Sequence, residues 1–192
     1  MAIAKRKKRF HEVEMPILNK STQLYGYDLK DIEGRIIKYD LTRILKGKNS
    51  LLDLNVTVNE EENKATSEPK RFRILPSFMK RMVRNRTSYV EDSFNAECKD
   101  AKLSIKPFLI ARRRVSNSVR RALRNKVREE IRDYIKDKSY NEIFDDVLKN
   151  KIQKDLSLKL KKVYPLSLCE IRVLEVKEKR AKEEKETMKS KE

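Results

Sequence analysis

A row of basic side chains is the feature of this sequence that most clearly suggests chemistry. In the stretch FLIARRRVSNSVRRALRNKVREEIRDYIK, residues 108–136, the cations Arg124, Arg128, Arg132 and Lys136 follow one another at four-residue intervals. If this stretch is a helix, the four cations share one face, and like charges at that spacing weaken a helix by about 0.2–0.5 kcal/mol per pair. Because the row contains no acidic residue, we expect an anion from outside the row to offset the repulsion.

The positive charge is concentrated in the middle of the chain. The 192 residues carry a formal net charge of +18. Residues 70–138 hold 21 Lys and Arg against 8 Asp and Glu, whereas residues 1–69 hold 13 against 11. Such an imbalance indicates a polyanionic partner, which is a nucleic acid, an anionic membrane surface or an acidic protein. A membrane surface is disfavoured, because the helix predicted over about residues 116–137 has only a narrow apolar stripe and the chain contains no tryptophan.

Two clusters of basic residues have the composition of a phosphate-binding surface. Arg112, Arg113 and Arg114 directly precede a predicted helix start at Ser116, where free backbone N–H groups favour anions. The second cluster lies in KRMVRNRTSY, residues 80–89. Arginine outnumbers lysine in both, and guanidinium forks match phosphate oxygens and stack on unpaired bases, which suits folded RNA. Since we expect few exposed aromatic residues, recognition of the RNA backbone and its shape is favoured over base reading.

The predicted RNA-binding residues come from these clusters, from the arginine-rich helix and from a basic N-terminal arm. They are Lys5, Arg6, Lys7, Lys8, Arg9, Lys80, Arg81, Arg84, Arg86, Arg112, Arg113, Arg114, Arg121, Arg124, Arg128 and Arg132.

The residues typical of catalysis and metal binding form no convincing pattern. The single histidine, His11, has no evident partner, and Cys98 and Cys169 lack the spacing of a metal or redox site. Asp145 and Asp146 suggest a metal-dependent nuclease, but a solvated helix face or pairing with the helix dipole explains them and is favoured. The sequence therefore predicts no enzyme, no metal, no cofactor and no small-molecule substrate.

The order of elements predicts an α+β fold. Strand patterns fill most of residues 10–58, the polar stretch 59–69 is typical of an exposed loop, and helices followed by a strand complete the chain. We expect a curved or barrel-like, mixed or antiparallel sheet with three to four helices. The predicted organisation is a basic arm over residues 1–9, a single domain over 10–176 and a charged, flexible tail over 177–192.

The helical segments carry specific boundary signals. A helix is predicted over about residues 116–137, with an apolar stripe made by Val119, Leu123, Val127, Ile131 and Tyr134. Ser139 and Glu142 have the spacing of a capping box, which predicts that the next helix begins there. A third helix is predicted to end before Pro165. The absence of a secretory signal and of a long apolar run predicts a soluble, intracellular protein.

Several stretches resemble the S3Ae family of archaeal and eukaryotic small-subunit ribosomal proteins. They are KKRFHEVEMP and GRIIKYDLT near the start, RNRTSYVED and CKDAKLSIKPFLIARRRVSNSVRRALRNKVREEI in the middle, and KKVYPLSLCEIRVLEV near the end. The order and spacing of these stretches carry the resemblance, which extends over about residues 7–177. The chain differs from the family pattern at Phe10, Ala101 and residues 69–76, which affects the expected loop geometry.

The resemblance implies a structural constituent of the small ribosomal subunit, with no enzymatic activity. It implies binding to rRNA at the platform near the mRNA exit site, beside neighbouring ribosomal proteins and mRNA near the exit channel, in cytoplasmic ribosomes. The residues alone leave alternatives open: a free RNA-binding protein or RNA chaperone, an RNA-processing nuclease that uses Asp145 and Asp146, and a scaffold for an acidic protein.

Overall fold

The computed structural model describes residues 7–59 and 64–179. Within them the fold is α+β, as predicted, with a mixed, open sheet and four α-helices. The strands are β1 (Arg9–Met15), β2 (Lys20–Gly26), β3 (Ile36–Asp40), β4 (Ser50–Asn59), β5 (Lys64–Ile74), β6 (Tyr89–Glu91), β7 (Phe94–Glu97), β8 (Ala101–Ala111) and β9 (Leu166–Lys179). The helices are α1 (Pro76–Met82), α2 (Asn117–Ile135), α3 (Tyr140–Leu148) and α4 (Lys151–Leu160).

The chain divides into two compact units. Unit 1 comprises Met1–Tyr39 and Leu52–Lys70, and unit 2 comprises Asp40–Leu51 and Arg71–Glu192. The strands β4 and β5 each contribute residues to both units. The single domain predicted over residues 10–176 stays a prediction.

Unit 1 is built on an antiparallel hairpin of β1 and β2. The register runs from Arg9 opposite Gly26 to Met15 opposite Lys20. A short 3-10 turn connects the strands and ends at Asn19, whose φ of 50° is left-handed, a conformation that asparagine tolerates better than most residues. The core of this unit is formed by Val13, Ile32, Val56 and Ala65 with partly buried neighbours. Because β-strand side chains alternate between faces, the residues between the buried ones on β1 point to solvent.

The prediction of an exposed loop over residues 59–69 is wrong from residue 64 onward, because Lys64 begins β5. Ala65 and Ser67 are buried on alternate positions, and Ala65 lies opposite Val13 in a parallel pairing. The Ser67 hydroxyl donates a hydrogen bond to the Glu14 carbonyl at 3.1 Å. The inward-facing residues are small or polar, so hydrophobic periodicity does not detect the strand.

In unit 2, α3 and α4 pack against β9, whereas α2 packs against β6, β7 and α4. The buried stripe of α2 consists of Leu123, Val127, Ile131 and Ile135, which confirms its predicted centre and extends it by one turn. Val119 and Tyr134, which were predicted in the stripe, are only half-buried.

The capping box predicted at the start of α3 is present. The Ser139 hydroxyl accepts from the Glu142 backbone N–H at 3.4 Å, and the Glu142 carboxylate accepts from the Ser139 N–H at 3.2 Å. Two of the otherwise unpaired donors at the helix start are thereby satisfied.

The long pairing of β8 with β9 forms the centre of unit 2. Pro107 lies within β8, where the register shifts between Lys106 and Pro107. The same residue falls between the segments of β8 that pair with β7 and β6. Proline cannot donate to a strand ladder, so the register shift lies at the position where the proline disrupts pairing least. At its far end β9 continues to Lys179, and residues 180–192 lie outside the described residues.

A buried carboxylate ties α2 to α3. Asp146 accepts hydrogen bonds from the Lys138 ammonium at 2.6 Å and from the Tyr134 hydroxyl at 3.0 Å, and Lys151 lies 3.4 Å away. Burial by itself raises the pKa of Asp146, but the hydrogen bonds from Lys138 and Tyr134 outweigh burial and lower the pKa on balance. The neighbouring Asp145 is more exposed, and its contact with Lys149 is 3.5 Å long.

We predict that Asp146→Asn lowers the free energy of unfolding by about 1.5–3 kcal/mol, because hydrogen bonds to a charged, buried acceptor are lost. The matched control Asp145→Asn should change it by less than about 0.5 kcal/mol, as is usual for surface substitutions. Urea unfolding followed by circular dichroism measures both. Equal losses for the two variants would contradict the structural role of Asp146.

Candidate nucleic-acid interface

The two predicted arginine clusters meet in unit 2, although about 25 residues separate them in the sequence. Backbone bonds hold the loop after α1 beside the segment that precedes α2. The Ala111 N–H donates to the Ser88 carbonyl at 2.9 Å, and the Ser88 N–H donates to the Arg113 carbonyl at 3.4 Å. The Ser88 hydroxyl accepts from the Val115 N–H at 3.2 Å. Ser88 therefore fixes both the spacing and the direction of the two segments.

The concavity between these segments has a volume of about 490 Å³. Its lining consists of Asn85, Arg86, Thr87, Arg112, Arg113 and Arg114. The four arginines are exposed, and none of them forms an ion pair with an acid in the part of the chain that the structure describes. Four guanidiniums around one open concavity repel one another, so an anion held among them is stabilised by each. We name this surface the arginine concavity.

The loop that carries Arg86 has a strained backbone. The φ of Arg86 is 65°, in the left-handed region that a long side chain rarely adopts. Both the N–H and the hydroxyl of Thr87 donate to the Arg84 carbonyl, at 3.3 and 2.6 Å, and so close the turn. The turn places Arg86 at the wall of the concavity, which strand or helix patterns in the sequence do not indicate.

The helix α2 begins next to the arginine concavity. The Ser116 hydroxyl accepts from the Val119 N–H at 3.5 Å, and it lies 2.9 Å from the Ser118 hydroxyl. The first turn contains no acidic residue. The positive end of the helix dipole therefore adds to the charge of residues 112–114, and it further favours an anion.

The arginine row on α2 lies against β6 and β7 and is partly satisfied there. Arg128 forms a bidentate ion pair with Asp92, in which its Nη2 lies 2.7 Å from a carboxylate oxygen. Arg124 donates from Nε to the Glu91 carbonyl at 3.2 Å, and the Arg132 guanidinium lies 5.8 Å from the centre of the Phe94 ring. The sequence row contains no acid, but the fold brings one to it from 36 residues upstream.

The pair of Arg128 and Asp92 affects both partners. The hydrogen bond from Arg128 lowers the pKa of Asp92 below its ordinary value, although partial burial opposes the shift. Arg128 remains partly exposed, with 43% of its side-chain surface accessible. A phosphate can therefore still contact Arg128, but it competes with a carboxylate that already holds the guanidinium. The arginine concavity has no such competitor among the described residues.

The other predicted binding residues lie outside the concavity lining. Lys80, Arg81, Arg84 and Arg121 are exposed, and the Arg81 guanidinium lies 5.7 Å from the centre of the Phe78 ring. In unit 1, Lys7, Lys8 and Arg9 are exposed around the start of β1. Lys5 and Arg6 lie outside the described residues. Asn85 and Thr87, which also line the concavity, are not among the predicted binding residues, because a neutral polar residue in a loop carries no sequence signal for phosphate binding.

The acidic residues do not form a metal site in the described part of the chain. No group of three or more His, Cys, Asp or Glu side chains that could hold a metal ion occurs in residues 7–59 and 64–179. The Asp146 carboxylate, which a nuclease would need, is occupied by Lys138 and Tyr134. Both cysteines are free thiols, and burial raises the pKa of Cys169 to about 12. Within the same ranges, every helix is too short or too polar to cross a membrane.

Comparison with known protein families gives a match over nearly the whole chain. The model described as the Ribosomal S3Ae family matches residues 5–180. No curated protein matches the chain. The family match confirms the resemblance seen in the sequence and covers both the arginine concavity and α2.

We predict that Asp92→Asn lowers the free energy of unfolding at neutral pH by about 0.2–1 kcal/mol, the usual contribution of a partly exposed ion pair. A carboxylate whose pKa is lowered by folding stabilises the protein above its unfolded pKa, and this contribution is lost as the pH falls through the folded pKa. The difference from the native chain should therefore shrink below about pH 3.9. Urea unfolding at neutral and acidic pH measures it.

The control for this prediction is Asp133→Asn. Asp133 pairs with Lys136 at 3.1 Å on the exposed face of the same helix, and both side chains are more than 60% accessible. We expect a smaller effect there. A loss for Asp92→Asn that persists unchanged at acidic pH would contradict the proposed ion-pair contribution.

Proposed function

This chain belongs to the Ribosomal S3Ae family, and from that premise we propose that it is a structural constituent of the small ribosomal subunit that binds rRNA mainly through phosphate contacts. Membership makes it a ribosomal protein of the small subunit and a component of the translation machinery. The binding mode is our inference from the geometry of unit 2.

The observation that carries the proposal is the convergence of two arginine clusters on one concavity. Arg86 and residues 112–114 surround about 490 Å³ of open space beside the start of α2. A phosphodiester backbone presents a negative charge at every nucleotide, so several guanidiniums can each contact a phosphate along one strand. Arginine is suited to this role because its planar fork donates two parallel hydrogen bonds to phosphate oxygens.

The side chains around the concavity favour backbone recognition at this site. Asn85 and Thr87 offer neutral polar groups of the kind that bind sugar and phosphate oxygens, and no aromatic side chain is among the described lining residues. The remaining exposed cations, Lys80, Arg81, Arg84 and Arg121, extend the positive surface of the same unit. Arg124, Arg128 and Arg132 complete the proposed set, with Arg128 shared between Asp92 and RNA.

Family membership supports the location of the binding site on the ribosome. We place the chain at the platform of the small subunit near the mRNA exit site, in contact with neighbouring small-subunit proteins and with mRNA near the exit channel, in cytoplasmic ribosomes. The basic arm, including Lys7, Lys8 and Arg9, is proposed to contact rRNA as well. We propose no enzymatic activity.

We predict that the triple substitution of Arg112, Arg113 and Arg114 by Gln weakens binding to small-subunit rRNA and flattens its salt dependence. Each lost phosphate contact should reduce the slope of log K against log salt by about 1. The native chain, with 6–10 phosphate contacts, should lose a factor of about 10³–10⁵ in affinity between 50 and 200 mM salt. Filter binding across this salt range measures both chains.

The matched control removes three charges from another exposed surface, by substituting Lys154, Lys161 and Lys162 with Gln. It has the same net charge as the test variant, and it should keep a nearly native slope. If the two triple variants behave alike, binding depends on net charge alone and the arginine concavity is not the site.

We predict that the chain sediments with the small subunit in magnesium-containing gradients, because a structural constituent is held by contacts that persist in the assembled particle. A free RNA-binding protein or an RNA chaperone would instead remain near the top of the gradient. Immunoblotting of the fractions measures the distribution, and the same experiment on the triple arginine variant shows whether the concavity is needed for incorporation.

A further inference from the structure

Unit 1 exposes a cluster of aromatic side chains on the outer face of its hairpin. Phe10 on β1 lies opposite Tyr25 on β2, and Tyr27 follows directly after that strand. The exposed fractions of these residues are 69%, 51% and 43%. The ring centroids of Phe10 and Tyr25 are 5.0 Å apart at an angle of 45°. Phe10 and Tyr25 therefore form an aromatic pair in contact with solvent, and the exposed ring of Tyr27 follows it along the chain.

Packing within unit 1 does not account for these rings. The core of the unit uses the alternate positions of β1, where Val13 and Met15 are buried. Large exposed aromatic residues cost free energy in water, and in clusters they commonly mark a binding surface. The expectation of few exposed aromatic residues is wrong for the hairpin of unit 1.

Cations surround the aromatic cluster. The Lys8 ammonium lies 5.7 Å from the centre of the Tyr25 ring and 5.2 Å from that of the Tyr27 ring. Arg35 donates from Nη1 to the Tyr25 carbonyl at 3.0 Å, which holds its guanidinium beside the strand. Further along the same face the acids Glu12 and Glu14 appear, so the positive part is confined to one end of the hairpin.

A basic concavity of about 700 Å³ adjoins the cluster. Its lining includes Lys7, Arg9, His11, Tyr27 and Lys30, with Asp28 as the only acid among the described lining residues. The His11 Nε2 atom is buried and has no hydrogen-bond partner among the described residues. Tyr27 belongs to both the concavity and the aromatic cluster, so the two surfaces share this side chain.

We propose that Lys8, Phe10, Tyr25 and Tyr27, which we name the aromatic-basic patch, bind unpaired bases of a single-stranded RNA segment. The rings stack on the bases, while Lys7, Arg9 and Lys30 contact the adjoining phosphates. Alternation of π faces with cations over a few ångströms is the arrangement that binds single strands without reading a defined sequence. An apolar protein segment would gain from the rings but would offer no anion to Lys7, Lys8 and Arg9.

This patch adds a second mode of RNA contact to the proposed function, which rests on the arginine concavity of unit 2. Contacts to phosphates do not distinguish a strand that carries bases from one that lacks them. Stacking depends on the bases alone. A ligand without bases therefore separates the two proposals.

The experiment compares two ligands of equal length and charge with the full chain at a single salt concentration. One is a fluorescein-labelled oligouridylate, and the other is an abasic ribose-phosphate chain. Anisotropy titrations give the affinities of the native chain and of the double variant Phe10→Leu, Tyr25→Leu. Leucine keeps apolar bulk but removes the π surface. The double variant should bind oligouridylate about tenfold more weakly and the abasic chain unchanged.

Two control variants define the specificity of that result. Tyr39→Leu makes the same change on β3 of the same unit, where the Tyr39 hydroxyl already accepts from Lys20 at 2.8 Å, and it should leave both affinities unchanged. The triple substitution of Arg112, Arg113 and Arg114 by Gln should lower the affinities for both ligands by the same factor. Failure of the arginine variant alone would affect the proposed function and leave the patch intact.

If the native chain binds the abasic ligand as tightly as oligouridylate, the proposal is overturned without the need for any variant. The exposed rings are then assigned to a protein contact. A second readout is independent of variant folding. The chain has seven tyrosines and no tryptophan, so stacking should quench its intrinsic tyrosine fluorescence. Quenching by oligouridylate but not by the abasic chain supports the patch, and equal or absent quenching overturns it.

Discussion

Backbone pairing around Ser88 is the constraint on which the candidate interface depends. Its N–H, carbonyl and hydroxyl bond to the last residue of β8 and to the segment between β8 and α2, which holds the loop after α1 beside that segment. These bonds bring Arg86 beside residues 112–114 despite the repulsion between the guanidiniums. Four cations are thus held together by a neutral framework, and the electrostatic cost of that arrangement is offset when a polyanion is present.

Some charged side chains of this protein are paired internally, and others are not. Asp146 and Asp92 each collect partners from other elements, and their hydrogen bonds lower the pKa of both carboxyl groups. These pairs stabilise the packing of α2 against its neighbours. The arginines of the concavity, by contrast, lack an acidic partner in the described ranges. Asp92 and Asp146 are therefore used in internal ion pairs. The unpaired positive charge remains at the arginine concavity, a surface suited to RNA.

The two proposed surfaces differ in the part of RNA that they contact. The arginine concavity combines guanidiniums with a helix start, which suits phosphates. The aromatic-basic patch combines rings with cations, which suits unpaired bases together with their phosphates. The two proposed modes are complementary, because a folded RNA has both paired and unpaired segments. Each surface is built within one unit and can be tested separately.

The sequence by itself determined the fold class, the apolar centre of α2, the capping box of α3 and the family. These features depend on local patterns, because helix periodicity, cap residues and proline chemistry act over a few neighbouring positions. It also indicated which arginines carry the excess charge. The sequence did not predict the strand at residues 64–69, where pairing with β1 holds small and polar residues in an extended conformation.

Only the tertiary structure decided which of those arginines lie together and which have internal partners. Asp92 reaches Arg128 from 36 residues away, and Arg86 reaches the concavity through a left-handed turn. The exposure of Phe10 and Tyr25 was likewise decided by strand pairing, because alternation alone does not say which face of a hairpin is covered. Long-range contacts are set by the packing of whole elements, so a local sequence pattern does not predict them.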